Sequence, residues 1–241
     1  IVMAQVAVMQ TQDRSAGVRG AVLALGRNPV KNKDVLIKPN FNTADPAPGS
    51  THNDTLVALV DLLWEMGAAS ISLGERSYPP TRRVMDQKGI LPLLDVRQVR
   101  VIDFDDLPEG DWVACAPDAA HWRDGFRIAR PVLEADCLVS TGCVKTHQFG
   151  GVITLSLKLH VGVVPTFLDA NCTFTDCVTG VAIRDVAGLN LNAAFVISGT
   201  TTNSARFRRV NQCRRLAKAS ASPSQAAGTV TLCRRLPATS I

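Results

Sequence analysis

Short apolar runs alternate with helix-period segments along the first two-thirds of this chain, and that order leaves few folds open. Residues 2–9 read as a strand. Residues 13–26 carry Val18, Ala21, Val22 and Leu25 at helical spacing, with Gly26 as a stop. Val35-Leu-Ile-Lys38 is a buried-type strand that runs into the turn-forming loop 39–50. Asn53 or Asp54 is expected to cap the next helix, whose apolar face is Leu56, Val57, Val60, Leu63 and Trp64 and which Gly67 ends. A strand follows at 69–73, a helix at 81–94, and a strand at 99–103. Residues 126–129 are short and alternating, 135–141 form a strand, and 192–198 read as one more. Repeated strand–loop–helix order specifies an α/β protein with a mostly parallel sheet flanked by helices.

In a parallel sheet the strands end on one edge, and open α/β sheets bind ligands there. Several polar groups fall at such ends: Lys38 and Asn40 after one strand, Glu75 after the next, and Lys145, Thr146 and His147 after a third. The last group opens the segment 140–158, which surrounds Gly150 and Gly151 with Lys145, His147 and Lys158. Gly49, Ser50, Thr51 and His52 precede a helix, where backbone N–H groups and hydroxyls favour an anion. Three lysines nearby reinforce that preference for a phosphate or carboxylate.

Each residue alone has a plainer reading. Lys38 suits the polar end of a strand, Asn40 a side-chain–backbone turn bond, His52 a surface or capping position, and Glu75 a turn cap. Lys158 is also placed to snorkel from an amphipathic helix. Convergence on one edge, rather than any single residue, raises the functional reading.

Metal binding draws on His52, His121, His147, Glu75 and Cys143, but none has the tight spacing of a zinc motif. Cys172 and Cys177 lack further partners at iron–sulfur spacing, so the cofactor is left unassigned. Cys143 beside Lys145 is a candidate nucleophile, with an inert strand-end thiol as the plainer alternative. Seven cysteines cannot all pair internally, and Cys137 inside an apolar strand reads as a buried thiol. Both points favour a reducing, cytoplasmic setting. No dinucleotide-binding glycine fingerprint, phosphate-binding P-loop or nucleophile elbow is present.

No apolar run is long enough to span a membrane. Aromatics make up 5% of the chain, too few for a stacking platform on single-stranded nucleic acid. The net charge of +5 belongs to the end of the chain. Residues 1–170 hold 17 basic and 19 acidic residues, a net of −2; residues 171–241 hold 9 and 2, a net of +7. From 201 onward there are 8 basic residues and no acidic one. The expected organisation is therefore an α/β domain over 1–170, an irregular remnant over 171–200, and a basic, low-complexity, disordered tail over 201–241. Nucleic acid is an expected partner only through that tail, at Arg206, Arg208, Arg209, Arg214, Arg215 and Lys218. The abrupt loss of acidic residues and of periodicity also reads as a shifted frame or a truncated gene.

Six motifs occur in a telling order: Val35-Leu-Ile-Lys-Pro-Asn40, Pro48-Gly-Ser-Thr-His52, the helix Leu56–Gly67, Gly74-Glu75, Lys145-Thr-His147 and Thr154-Leu-Ser-Leu-Lys158. In this the chain resembles the uncharacterised bacterial and archaeal proteins grouped as a domain of unknown function, DUF362, over roughly residues 2–168. The resemblance implies an α/β domain with a shared polar site and no settled activity. Some members are fused to a ferredoxin-like segment with iron–sulfur cysteine runs. No such run is present here, so cluster binding does not carry over. Members usually continue into further strands and an Asp-Gly/Gly-Pro region, which is not found after residue 170, and they carry Asn where Leu159 follows Lys158. The resemblance thus implies a C-terminally truncated or frameshifted member.

Two functional classes follow. In the first, Lys38, Asn40, Ser50, Thr51, His52, Lys145, Thr146 and Lys158 hold a small anion or a metal-linked cofactor, with His147 as acid/base and Glu75 as its carboxylate partner. In the second, the same site binds or delivers a ligand without turnover, or the copy is inactive. Oligomeric state is left open.

Overall fold

The computed structural model describes residues 5–115, 126–145, 159–165, 193–200 and 226–232. The strands are β1 (Gln5–Gln10), β2 (Asp34–Pro39), β3 (Ser70–Glu75), β4 (Arg100–Asp103), β5 (Trp112–Cys115), β6 (Phe126–Ala129), β7 (Cys137–Cys143), β8 (Ala193–Thr200) and β9 (Ala226–Leu232). The helices are α1 (Arg14–Leu23), α2 (Asn53–Glu65), α3 (Thr81–Gln87), α4 (Leu91–Asp95) and α5 (Arg130–Glu134).

Seven strands form one sheet in the order β1-β9-β8-β7-β2-β3-β4, and β5 and β6 form a separate hairpin. The block β8-β7-β2-β3-β4 is parallel throughout, as the alternating pattern requires. Only β9 runs against its neighbours, β8 and β1. Within 201–241, where no regular element is expected, β9 is the one segment described; the rest of the tail lies outside the described residues.

β7 is buried along its whole length, and β2 is buried from Val35 onward, so both faces of the sheet are covered at these central strands. Alternate side chains divide between two cores. Val35, Ile37, Ile71, Leu73, Cys137 and Val139 face α1, α2, α3 and α4 in the larger one. Leu36 and Leu138 face the opposite way, against Phe104, Ile128, Val132 and Val163.

Two local expectations need correction. The segment 81–94 is two helices, not one. α3 stops at Lys88, Gly89 turns with a φ of +61°, and α4 starts at Leu91 with Pro92 in its first turn. Proline has no N–H to continue the α3 ladder but suits the first turn of a new helix. The cap of α2 is His52 rather than Asn53 or Asp54: its Nδ1 accepts the Asp54 N–H at 3.1 Å. Asn53 instead enters the helix and donates its side-chain amide to the Lys88 carbonyl at 2.7 Å.

Candidate functional site

Because β2, β3 and β7 are parallel neighbours, the residues at their carboxyl ends share one edge. Lys38, Glu75 and Lys145 fall on that edge although they are distant in sequence, and of the three only Lys38 and Glu75 are in contact. Their environments differ sharply.

Lys38 and Glu75 are each 1% exposed and form an ion pair. The Lys38 ammonium also donates to the Pro39 carbonyl at 2.9 Å. Glu75 accepts the backbone N–H groups of Phe41 and Arg76, both at 2.8 Å. Burial pushes the lysine below its ordinary pKa and the carboxyl above its own, and each partner's charge holds the other back. The pair therefore joins the end of β3 to the start of the β2–α2 loop. Glu75 is committed to Lys38; His147, its expected partner, lies outside the described residues.

A 3-10 turn, His160–Val163, covers this pair. A Cβ on Gly162 would stand 2.8 Å from Lys38 Nζ and 3.1 Å from Glu75 Oε1, so only glycine lets the turn approach this closely. Arg76 is also nearly buried, and its Nη2 donates to the Val161 carbonyl at 3.0 Å. Burial lowers its pKa, against the opposing charges of Asp105 and Glu75.

The β2–α2 loop is folded on its own polar groups. Ser50 Oγ donates to the Asn40 carbonyl at 2.7 Å, and the Thr51 N–H reaches the same carbonyl at 2.9 Å. Thr51 Oγ1 accepts the Asn40 N–H at 2.9 Å and lies 2.9 Å from the Thr141 carbonyl on β7. Both hydroxyls are buried and serve the loop's own architecture. His52 acts as an acceptor at the cap, which requires an unprotonated Nδ1. Burial, then Arg14, holds its pKa below the ordinary value.

Lys145 stands just beyond β7. Its half-buried ammonium donates to the Gly49 carbonyl, one residue before Ser50. Gly49 packs hard against Asp45: a Cβ there would lie 2.8 Å from the Asp45 Cβ. Burial lowers the Lys145 pKa, while Cys143 and Asp45 oppose the shift. The sequence reading missed a second ammonium in this neighbourhood. Lys88 lies 4.8 Å from the centroid of the Phe41 ring and is likewise lowered by burial and raised by Cys143 and Asp45. Its signal was the Lys-Gly pair at a helix end, concealed by reading 81–94 as one helix.

Cys137 and Cys143 are buried, and burial pushes the Cys137 thiol up to about 11, as an inert core residue requires. No group of three His, Cys, Asp or Glu side chains able to hold a metal occurs among the described residues. No helix there is long and apolar enough to cross a membrane. Thr146, His147, Lys158, His121, Cys172, Cys177 and the basic residues 206–218 lie outside the described residues.

Comparison with known proteins gives the family. The model of the domain of unknown function DUF362 matches residues 35–216, and the chain belongs to this family. The match begins later and runs further than the motifs alone indicated. A thylakoid-associated protein of Synechocystis sp. is 25% identical over 134 residues, 54% of this chain and 39% of that protein. The lactate racemase apoprotein from Thermoanaerobacterium thermosaccharolyticum superposes with a TM-score of 0.56 at 15% identity, covering 80% of this chain and 50% of the other. A protein from Thermotoga maritima gives 0.53 at 12% identity, covering 80% and 52%. These likenesses establish a shared fold. The chain spans about half the length of the two solved structures and less of the curated relative.

Proposed function

We propose that this DUF362 member binds a small anion at the carboxyl edge of β2, β3 and β7, with Lys145 as the central cation and the Gly49–His52 loop as its cradle. The observation that carries the reading is the state of Lys145. Its ammonium is half-buried at the end of a fully buried strand, and the hydrogen-bond partner it finds is a neutral carbonyl. A desolvated cation so placed gains from a counter-anion.

Lys38 and Glu75 form the rigid floor, neutral as a pair, and Ser50 and Thr51 hold the loop that receives Lys145. His147 follows Lys145 by two residues and is the acid/base candidate if the site turns over. The anion reading is preferred to a metal because cations converge among the described residues and metal-ligand triads do not.

The test is calorimetric titration of the chain with sodium lactate and with sodium phosphate. Lactate is chosen because a protein of the same fold is a racemase of that carboxylate. Saturable binding that falls at least tenfold in Lys145→Ala is expected. No heat from either probe, or equal affinity in Lys145→Ala, contradicts the proposal.

A further inference from the structure

We propose that Lys38 and Ser140 together bind a single buried water molecule on the face of the sheet opposite α2, and that this water joins the end of β2 to the end of β7. This site does not depend on the anion-binding reading above.

Strand register puts the two side chains on one face. Lys38 and Ser140 are direct partners in the parallel β2–β7 ladder, as are Leu36 and Leu138 two residues earlier. Leu36 and Leu138 both pack in the smaller core, and side chains two apart along a strand share a face. Lys38 and Ser140 therefore leave their strands on that same side. Thr141, the next residue, points the other way and meets Thr51 of the β2–α2 loop at 3.0 Å.

Both groups hold unused hydrogen-bonding capacity away from solvent. The Lys38 ammonium has three N–H donors. One goes to Glu75 and one to the Pro39 carbonyl, and no third partner occurs among the described residues. Ser140 is fully buried, and its hydroxyl has no hydrogen-bond partner there either. Glu75 lies on β3, so the ion pair draws the ammonium away from β7. The two groups make no direct bond, across strands that stand about 4.8 Å apart, and one oxygen spans such a gap.

An ammonium already neutralised by Glu75 calls for a neutral acceptor rather than an anion. Water accepts from Lys38 and bonds the Ser140 hydroxyl, and two polar partners suffice to hold a buried water. The His160–Val163 turn closes the site. A Cβ at Gly162 would stand 2.8 Å from Lys38 Nζ, so the turn lies directly against the ammonium, and Val163 is fully buried. A buried hydroxyl without a partner destabilises a fold, and the water removes that cost. Glu75, Lys38, the water and Ser140 then form one polar chain across the ends of β3, β2 and β7.

A crystal structure of the parent chain with its ordered waters is expected to hold an oxygen within about 3.2 Å of both Lys38 Nζ and Ser140 Oγ. No oxygen there overturns the proposal. Urea denaturation of Ser140→Ala then reads the sign. With the water bound, the substitution removes one of its partners, and the folding equilibrium constant is expected to fall about fivefold, the worth of one net hydrogen bond. Without it, the substitution removes an unmatched hydroxyl, and an unchanged or raised constant overturns the proposal. In the Lys38→Met/Glu75→Gln background, where the ammonium is gone, Ser140→Ala is expected to lower the constant by less than about twofold. An equal fall in both backgrounds overturns the part assigned to Lys38.

Discussion

Lys38 on β2 and Glu75 on β3 meet as an ion pair at the ends of adjacent parallel strands, each with 1% of its side chain exposed. Breaking such a pair from one side leaves a buried charge without its counter-ion, which costs more than the pair itself contributes. Glu75→Gln is therefore expected to lose about 3–5 kcal/mol in urea denaturation. The double variant Lys38→Met/Glu75→Gln is expected to recover much of that loss. A single-variant loss below about 1 kcal/mol contradicts this account of the pair.

Gly162 brings the His160–Val163 turn onto the same pair, and a Cβ there would sit 2.8 Å from the lysine nitrogen. Overpacking at a site that cannot move costs about 1–3 kcal/mol. Gly162→Ala is expected to lower stability by that order and to speed hydrogen exchange at 160–163. The same substitution in the Lys38→Met background, where the end of the side chain is uncharged and pliable, is expected to cost less. Equal costs in both backgrounds would place the strain elsewhere.

Thr51 ties the β2–α2 loop to β7 by accepting from Asn40 and meeting the Thr141 carbonyl. Thr51→Val keeps the shape but removes both bonds and strands a buried N–H, a loss of about 1–3 kcal/mol. Thr51→Ser retains the hydroxyl and is expected to retain most of the stability. Denaturation midpoints of the two variants check this directly; equal midpoints would deny the hydroxyl its role.

His52 caps α2 through an unprotonated nitrogen, and its folded pKa lies below the ordinary value of 6.5. Below 6.5 the unfolded chain therefore binds more protons at this residue than the folded chain does. The contribution is fully present above 6.5 and is lost as pH falls through the folded pKa. His52→Asn keeps a capping acceptor without a titrating group and is expected to flatten that fall. Urea midpoints measured across this range for both proteins test it, and identical pH slopes would contradict the assignment.

The parallel sheet was legible because apolar runs such as Val35-Leu-Ile and Cys137-Leu-Val report burial on both faces, and their order with the intervening helices dictates topology. The approach of Lys38, Glu75 and Lys145 to one edge followed from that topology alone. What the sequence hid is set by tertiary contact. Glu75 partners Lys38 because the β2–β3 register puts their ends side by side, which no local pattern encodes. Lys88 was hidden because it ends α3 within a segment whose apolar spacing suits one helix, which Gly89 and Pro92 break. The cap of α2 falls on His52, one residue before Asn53, whose amide points away to the Lys88 carbonyl. β9 went unseen because Ala226-Ala-Gly-Thr-Val-Thr-Leu232 is short and rich in small residues.

The claim that the carboxyl edge holds an anion is tested most directly by mapping amide chemical shifts of the labelled chain during a lactate titration. The account predicts saturable shifts concentrated at Gly49, Ser50, Thr51 and Lys145, with the far ends of β2 and β7 unmoved. Shifts that are absent, or that cluster away from these residues, would contradict it.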